Sequence, residues 1–566
     1  MHIIRAWQQI RKIRMCVFVS KHLAIDKLKS INPDTIIALL LALLMYAIAS
    51  TFTRIGIDLH HDGIILKPAI DVLNGQVLFR DSFTQYGAFL TYLQAATMAI
   101  FGAELLVIRL QTAFMYAVTT FFIYKCWRYF LPTGVTVVST LLFIGMAHFF
   151  VRPSFPWSSV YAMALVSIVI FLLFRFIEHK NRNNILLAGI VSALAFYTRQ
   201  PVGIVLFIAI LFLLVNYGLF TFGESKNIKG MISNFLIGFF SVYLIFSLYF
   251  IFTGAFYDWF AQSLRFAFYF GFGGTWGTIE NLFLDLFFSN HWTFPHSAIS
   301  AIWVIMPVMC IFLFFNFYAG RFLIRKRLLK VKGYASKKEM MLLFFVVIAI
   351  ASWHQYYPVP CISHVYWASG IMIGIFMYCV WDALGERETR RKAVILIMVI
   401  FMFFYSDLRW KIQNGAAHLR NRQHLVTIDF GFHLNGMIID RGTYDLLFHY
   451  FNFIDQLQEM LPEKQFLNYT RDAVFGITFD ENIINMTVNW GNVVYPDYQA
   501  NVHNLIHQYQ PIIVATHHIG TPGYVLVRSF HHVLIFVDEH TAREHFPHEY
   551  YMANHHVPPY QYGYIE

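Results

Sequence analysis

Four side chains that can hold or move a proton crowd five positions: Asp58, His60, His61 and Asp62, within IGIDLHHDGIILKPAIDVLNG at 55–75. The stretch directly follows a strongly apolar run. Ionisable groups at a membrane boundary are costly to keep unless they serve a purpose. A carboxylate there can take the proton from an attacking hydroxyl. Asp62 is the favoured base, with Asp58 and then Asp81 (in FRD) behind it. The bland alternatives for Asp62 are a cap on the short helix that follows, a role aspartate fills readily, and a salt bridge that supports the site without touching substrate. That helix is expected to begin at Pro68 and stop at Gly75, with Lys67 on its polar side as a phosphate contact. Imidazole beside carboxylate also suits zinc or manganese, which makes His61 a metal candidate. Adjacent positions converge poorly on one ion, however, and the i,i+4 spacing of a helical site is missing.

Phosphate would be held by arginines at helix ends, since the guanidinium fork matches phosphate oxygens. Arg109, Arg152 and Arg199 are the main candidates, with Arg80 and Arg265 also at such positions. Arg199 precedes Gln200-Pro201, where helix geometry must break; its alternative role is to fix a helix end by snorkelling. The segment HQYYPVPCISHVYW at 354–367 offers His354, Gln355 and His364 as sugar or phosphate contacts, although aromatic belts at interfaces account for much of its composition. Residues 255–297 read as an aromatic amphipathic helix and a glycine-rich turn, a lid or a plain loop. GFGGTWG is not a nucleotide loop, because no strand precedes it.

These residues need elements to carry them, and composition says which kind. The chain has 566 residues, 58% hydrophobic, 18% aromatic and 13% charged. A mean hydropathy of +0.53 belongs to a polytopic membrane protein. Apolar runs of spanning length begin near residues 35, 104, 133, 157, 184, 200, 230, 298, 339, 364 and 393. The run at 87–102 is short, and Thr91, Gln94 and Thr97 give it a polar stripe, so it is expected to lie in the interface. With that choice the basic N-terminus and the turns at Lys125/Arg128, Lys180/Arg182, Lys226/Lys229, 321–338 and 386–392 all fall in the cytoplasm. About eleven spans result. The formal charge of +10 is therefore a matter of topology, and no nucleic-acid partner is implied. The five cysteines are scattered, so no disulfide framework is available.

The organisation expected is a basic cytoplasmic segment at 1–34, a transmembrane domain at 35–405 with its first outer loop at 54–103, and an extracytoplasmic α/β domain at 406–566. In the last, helical patterns at 443–460 and 498–508 alternate with short β-rich runs at QFLNYT, PIIVAT, GYVLVRS and HVLIFVD. The polar, aromatic and proline-rich loops share one compartment with this tail.

An aspartate after the first span, a short helix ending Asn-Gly, then FRDSFTQYG, a helix ending FG and a span with an early arginine (ELLVIRL) follow in order. This arrangement, over roughly 35–130, resembles the GT-C superfamily of integral-membrane glycosyltransferases, which includes protein O-mannosyltransferases and the lipid A aminoarabinose transferase. YTRQPVG at 197–203 and the Gln355–His364 segment extend the likeness in fragments. The resemblance implies a GT-C-like helical fold with a C-terminal extracytoplasmic domain and a base supplied by the first outer loop. Its donor would be a polyprenyl-phosphate sugar, and some branches require a divalent metal. Asp62 matches the aspartate of the family's Asp-Glu pair, but Gly63 stands where the glutamate is expected. Asp58 or a histidine is left to supply the second function.

The reading is thus an inverting glycosyltransferase in a bacterial cytoplasmic (inner) membrane. It would carry sugar from the lipid phosphate to a glycan, lipid or protein acceptor at the outer face of the bilayer. Its rivals are a transporter or flippase of lipid-linked saccharide and a non-catalytic assembly subunit. Transport predicts ionisable residues near the span centres and paired repeats; the spans here are nearly free of charge at their centres.

Overall fold

Helices begin where the apolar runs begin. The computed structural model describes residues 32–147, 156–221, 227–266, 296–319, 335–356, 362–384, 391–396, 424–479 and 497–554, together with 398 and 495. The first element, α1 (Pro33–Thr51), is capped by the Asn32 side chain, which accepts the Asp34 N–H, and has proline at its first position. Then come α2 (His61–Leu73), α3 (Ala88–Phe101), α4 (Leu105–Trp127), α5 (Thr133–Gly145), α6 (Ser158–His179), α7 (Asn183–Phe196), α8 (Gln200–Phe220) and α9 (Ile228–Phe252). The short α10 (Phe256–Trp259) continues into a π turn at Phe260–Arg265, followed by α11 (His296–Tyr318), α12 (Lys337–Trp353), α13 (Ile362–Ser369) and α14 (Ile373–Ala383).

Among the described residues, six stretches are long and apolar enough to cross a bilayer: α1, α4, α6, α8, α9 and His364–Ala383. The expected starts from 35 to 364 each fall within a few residues of an observed helix start. The run near 393 lies largely outside the described residues, as do the N-terminal basic segment to residue 31 and the glycine-rich turn. Helix α6 sits at the centre, with Val160, Val169, Ile170, Leu173 and Phe174 wholly buried, while α1 and α9 present Leu40, Leu43, Ile245 and Phe252 outward. Large apolar side chains facing outward suit helices solvated by lipid.

Two local expectations are corrected. Helix α2 begins at His61, seven residues before Pro68, and carries the proline inside. An interior proline costs a backbone hydrogen bond. The compensation lies at the helix start, where Asp58 Oδ1 accepts the N–H groups of His60 (3.1 Å) and His61 (2.7 Å), and Asp62 Oδ2 accepts the Asp58 N–H (2.8 Å). Asp58, not Asp62, is thus the residue that caps α2. The polar stripe of α3 points inward: Thr91 and Gln94 are buried, Gln111 Nε2 donates to Thr97 Oγ1, and Ile100 and Phe101 are exposed instead. With 14 residues, or about 21 Å, α3 is too short to cross a bilayer upright.

The C-terminal region is a small α/β unit. β1 (Leu425–Thr427) pairs antiparallel with β2 (Ile438–Asp440). A four-stranded sheet runs β3-β4-β6-β5, from β3 (Phe466–Tyr469), β4 (Ile512–Ala515), β5 (Tyr524–Phe530) and β6 (Val533–Asp538). β3 and β4 are parallel; the other neighbours are antiparallel. Helices α15 (Arg441–Met460), α16 (Tyr498–Tyr509), α17 (Glu539–His545) and α18 (Pro547–Asn554) complete it.

This unit grips the loop that carries the acidic stretch. Ile438 exchanges backbone bonds with Arg54 and Gly56, Val474 N–H donates to Leu59 O, and His433 O accepts the Leu105 N–H. Lys67 Nζ reaches Phe479 O at 2.9 Å. The closest approach is at Gly63, where an added Cβ would overlap Val474 N and Ala473 C. Any side chain at position 63, a glutamate included, is sterically excluded here: the backbone of the C-terminal unit occupies its place. Gly63→Ala is expected to overpack this contact and destabilise the protein by about 1–3 kcal/mol or more. Thermal unfolding in detergent should show the loss, together with faster proteolysis between residues 424 and 479; an unchanged midpoint would contradict the contact.

Candidate functional site

The acidic stretch divides into a buried half and an open half. Asp62 and Arg109 of α4 are both fully buried, with Arg109 Nη2 2.6 Å from Asp62 Oδ2 and Nε 3.4 Å from Oδ1. Arg109 Nη1 also donates to the carbonyls of Thr53 and Ile55, where α1 ends. Burial pushes the Asp62 carboxyl up, and the Arg109 guanidinium opposes it. Arg109 cannot shed its charge, so a neutral Asp62 would strand a buried cation, and the pair stays ionic. Asp62 is consequently a poor candidate to meet an acceptor: both oxygens are engaged and neither is exposed.

Asp58 is the open carboxylate, its side chain 33% exposed. Partial burial pushes its carboxyl up, but hydrogen bonding from the His61 ring and backbone outweighs that and holds it at about 2. His61 Nδ1 stands 3.0 Å from Asp58 Oδ2. Polar contacts of this kind often tighten only when substrate is bound. His60 turns the other way, Nδ1 meeting Arg471 O at 2.7 Å, and burial lowers its imidazole below the usual histidine value.

Arg199 defines a second pole. It precedes α8, and its Nη1 donates to Ser159 Oγ at 2.6 Å and contacts Ser158 Oγ at 3.4 Å, both at the start of α6. The turn holding Arg199 is stitched to the start of α3: Gly87 N–H donates to Thr198 O and Phe89 N–H to Tyr197 O, with Gly87 too close to Tyr197 for any side chain. This places Tyr86 within electrostatic reach of Arg199. His354 is also within reach, and burial holds its imidazole down to about 4, neutral at physiological pH. Its Nδ1 meets Ala351 O at 2.6 Å. Among the described residues no carboxylate forms an ion pair with Arg199. Three buried polar atoms lack a hydrogen-bond partner nearby or on adjoining turns: Gln200 Nε2, His354 Nε2 and Gln355 Oε1. The His354–Tyr356 turn packs on the start of α8.

One aromatic cluster joins the poles. Trp157 meets His61 (centroids 5.1 Å, 62°), Tyr86 (5.4 Å, 66°) and Trp367 (6.3 Å, 18°), and His364 lies 5.3 Å from Trp367. Thus Asp58, His61, Arg199, His354 and His364 gather around one cluster, with Asp62 and Arg109 supporting it from within. Lys67 and Asp81 stand apart. Lys67 pairs with Asp71 at 2.7 Å, and Ser82 Oγ donates to the same carboxylate. Asp81 is bound by Arg80 Nε (2.7 Å) and the Val77 N–H (2.8 Å). Arg152 lies outside the described residues. For a metal, Asp58 and His61 offer two donors, and among the described residues no third His, Cys, Asp or Glu joins them. That donor set does not fit a metal centre. Trp157, Tyr86, Ser159 and Gln200 were not among the sequence candidates. The visible signals were weak: a tryptophan ending VRPSFPW and a tyrosine before a glycine.

Residues 87–246 match the profile of the family described as dolichyl-phosphate-mannose-protein mannosyltransferase. The resemblance to GT-C glycosyltransferases is borne out over that stretch, which is well under half the chain. No curated protein matches the chain significantly in sequence. Among solved structures, ArnT from Cupriavidus metallidurans in the apo state is 13% identical, with a TM-score of 0.48 over 88% of this chain and 97% of that one. The Archaeoglobus fulgidus oligosaccharyltransferase, in a structure with Zn and sulfate, is 14% identical, with a TM-score of 0.47 over 85% and 68%. These likenesses concern the fold alone. The chain is an integral membrane protein.

Removing one partner of a buried ion pair costs about 3–5 kcal/mol, whereas replacing both by apolar residues can be near neutral. Arg109→Met should therefore unfold well below the native protein, and Arg109→Met with Asp62→Leu should recover part of the loss. Additive losses in a double-mutant cycle would contradict the pairing.

Proposed function

We propose that the chain is an inverting glycosyltransferase that moves a sugar from a polyprenyl-phosphate donor to an acceptor hydroxyl on the extracytoplasmic face of a bacterial cytoplasmic membrane. The observation that carries this reading is the pairing of an open carboxylate, Asp58, with an arginine that no described carboxylate neutralises, at two ends of one aromatic cluster. Glycosyl transfer from a lipid phosphate asks for those two charges and a wall between them. The family matched over 87–246 is described by a sugar carried on dolichyl phosphate, which supports the donor class.

The chemistry follows from the charges. The acceptor oxygen attacks the anomeric carbon as its proton passes to Asp58. The carbon–oxygen bond to phosphate breaks, and its electron pair leaves on the phosphate, where Arg199 stabilises the added charge. Attack from the side opposite the leaving group inverts the anomeric centre. Asp58 is a weak base in the resting site, so its proton transfer belongs late, when bond formation has made the hydroxyl acidic. Asp62 and Arg109 do not touch substrate in this scheme; they hold the capped start of α2 in place. His354, Gln355 and Gln200 would complete the phosphate's hydrogen bonds, and His364 would face the sugar. The C-terminal unit, docked on the same loop, would take part in binding the acceptor.

Transfer of radiolabelled sugar from the lipid-phosphate pool should fall about 10²–10⁴-fold in Asp58→Asn. The variant should unfold near the native temperature, because asparagine caps helices as well as aspartate. Asp62→Asn should lose transfer and stability together. Undiminished transfer by Asp58→Asn would move the base elsewhere. A carboxylate held at about 2 is ionised throughout the neutral range. The rate should then stay flat from about pH 8 to about pH 5, and an acid limb near 6.5 would point to histidine instead.

A further inference from the structure

We propose that Trp157 is the platform on which the donor's sugar ring lies, an inference that rests on the donor reading of Arg199 and Asp58. In a displacement at the anomeric carbon, the attacking hydroxyl and the leaving phosphate stand on opposite sides of the sugar. The ring must therefore occupy the space between the group that takes the proton and the group that holds the phosphate. Trp157 adjoins both groups through its neighbours. The two residues that follow it, Ser158 and Ser159, are the ones that contact Arg199 Nη1, at 3.4 and 2.6 Å. Its indole meets the ring of His61 at 5.1 Å, and His61 Nδ1 stands 3.0 Å from Asp58. One side chain thus borders both poles of the site.

The indole is also held still and partly open. Trp367 stacks on it at 18°, and Trp367 is itself anchored by a 2.9 Å hydrogen bond from Nε1 to Tyr116 Oη. Tyr86 adds an edge contact at 5.4 Å. Trp157 is half-buried, whereas Trp367 and Tyr86 are buried. Its backbone precedes the first turn of α6, the most enclosed helix of the bundle, so the ring's position is inherited from a rigid element. A pyranose or furanose carries a face of C–H bonds, weakly positive, that matches the negative face of an aromatic ring. The platform recognises the sugar ring itself and is indifferent to the lipid and the phosphate.

That division of labour supplies the test. Radiolabelled undecaprenyl phosphate is bound to the purified full-length protein and displaced by bare undecaprenyl phosphate or by the lipid carrying mannose, glucose or 4-amino-4-deoxyarabinose. The native protein should prefer at least one glycosylated lipid. Trp157→Ala should weaken that lipid about tenfold while changing the bare lipid less than about twofold, and Trp157→Phe should restore part of the preference. Arg199→Gln should weaken bare and glycosylated lipids alike. Equal losses for both lipids in Trp157→Ala, or no loss, would overturn the platform, since a merely structural role moves both together. Equal binding of all four lipids by the native protein would overturn it as well. A native protein that binds none of the four overturns the donor reading of Arg199 first, and the platform with it.

Discussion

Taking two charges out of water is expensive, and the protein does so where Asp62 and Arg109 meet with no exposure to solvent. The pair has a structural logic. Arg109 sits on α4 and binds the carbonyls of Thr53 and Ile55 at the end of α1, while Asp62 accepts the Asp58 N–H at the start of α2. Three elements are fixed by one guanidinium and one carboxylate. The arrangement leaves Asp58 with its oxygens on backbone N–H groups and on His61, at the edge of the buried network and open to whatever approaches. A flexible loop would spread that carboxylate over many positions; here its backbone is bonded into the helix start. Preorganisation of this kind is what an electrostatically driven reaction requires.

The C-terminal unit belongs to the same construction. It touches the acidic loop through backbone groups of Arg471, Val474 and Phe479, and it comes so close at Gly63 that no side chain fits. The backbone of Ala473 and Val474 leaves room at position 63 for glycine alone. Lys67, by pairing with Asp71 and reaching Phe479 O, braces the middle of α2 against the same segment.

Much of this was legible in the residues, and the part that was not has a common cause. Helix starts followed from apolar runs bounded by polar turns, and the strands of the tail from short β-branched runs. The gathering of Arg199 and His354 near the acidic loop was anticipated only as a shared compartment. The internal proline of α2 misleads, because the helix starts upstream of it, where Asp58 Oδ1 accepts the N–H groups of His60 and His61. The ion pair of Asp62 is not legible in the loop, because its partner Arg109 is 47 residues away on another helix. An arginine early in a span signals a buried counter-charge, but not which aspartate answers it. Trp157 was hidden among interfacial aromatics, and only its contacts with His61, Tyr86 and Trp367 set it apart.

A glycosyltransferase cleaves the bond between sugar and lipid phosphate, whereas a transporter carries the intact molecule. The direct measurement uses purified protein in sealed vesicles loaded with polyprenyl-phosphate sugars, with the lipid products followed by mass spectrometry and the side of the membrane on which they appear recorded. The proposed transfer releases bare polyprenyl phosphate with one equivalent of sugar joined to the acceptor, at the face where the C-terminal unit lies. Intact lipid-linked sugar moving from one leaflet to the other, with no bare lipid phosphate formed, would contradict it and establish a transporter.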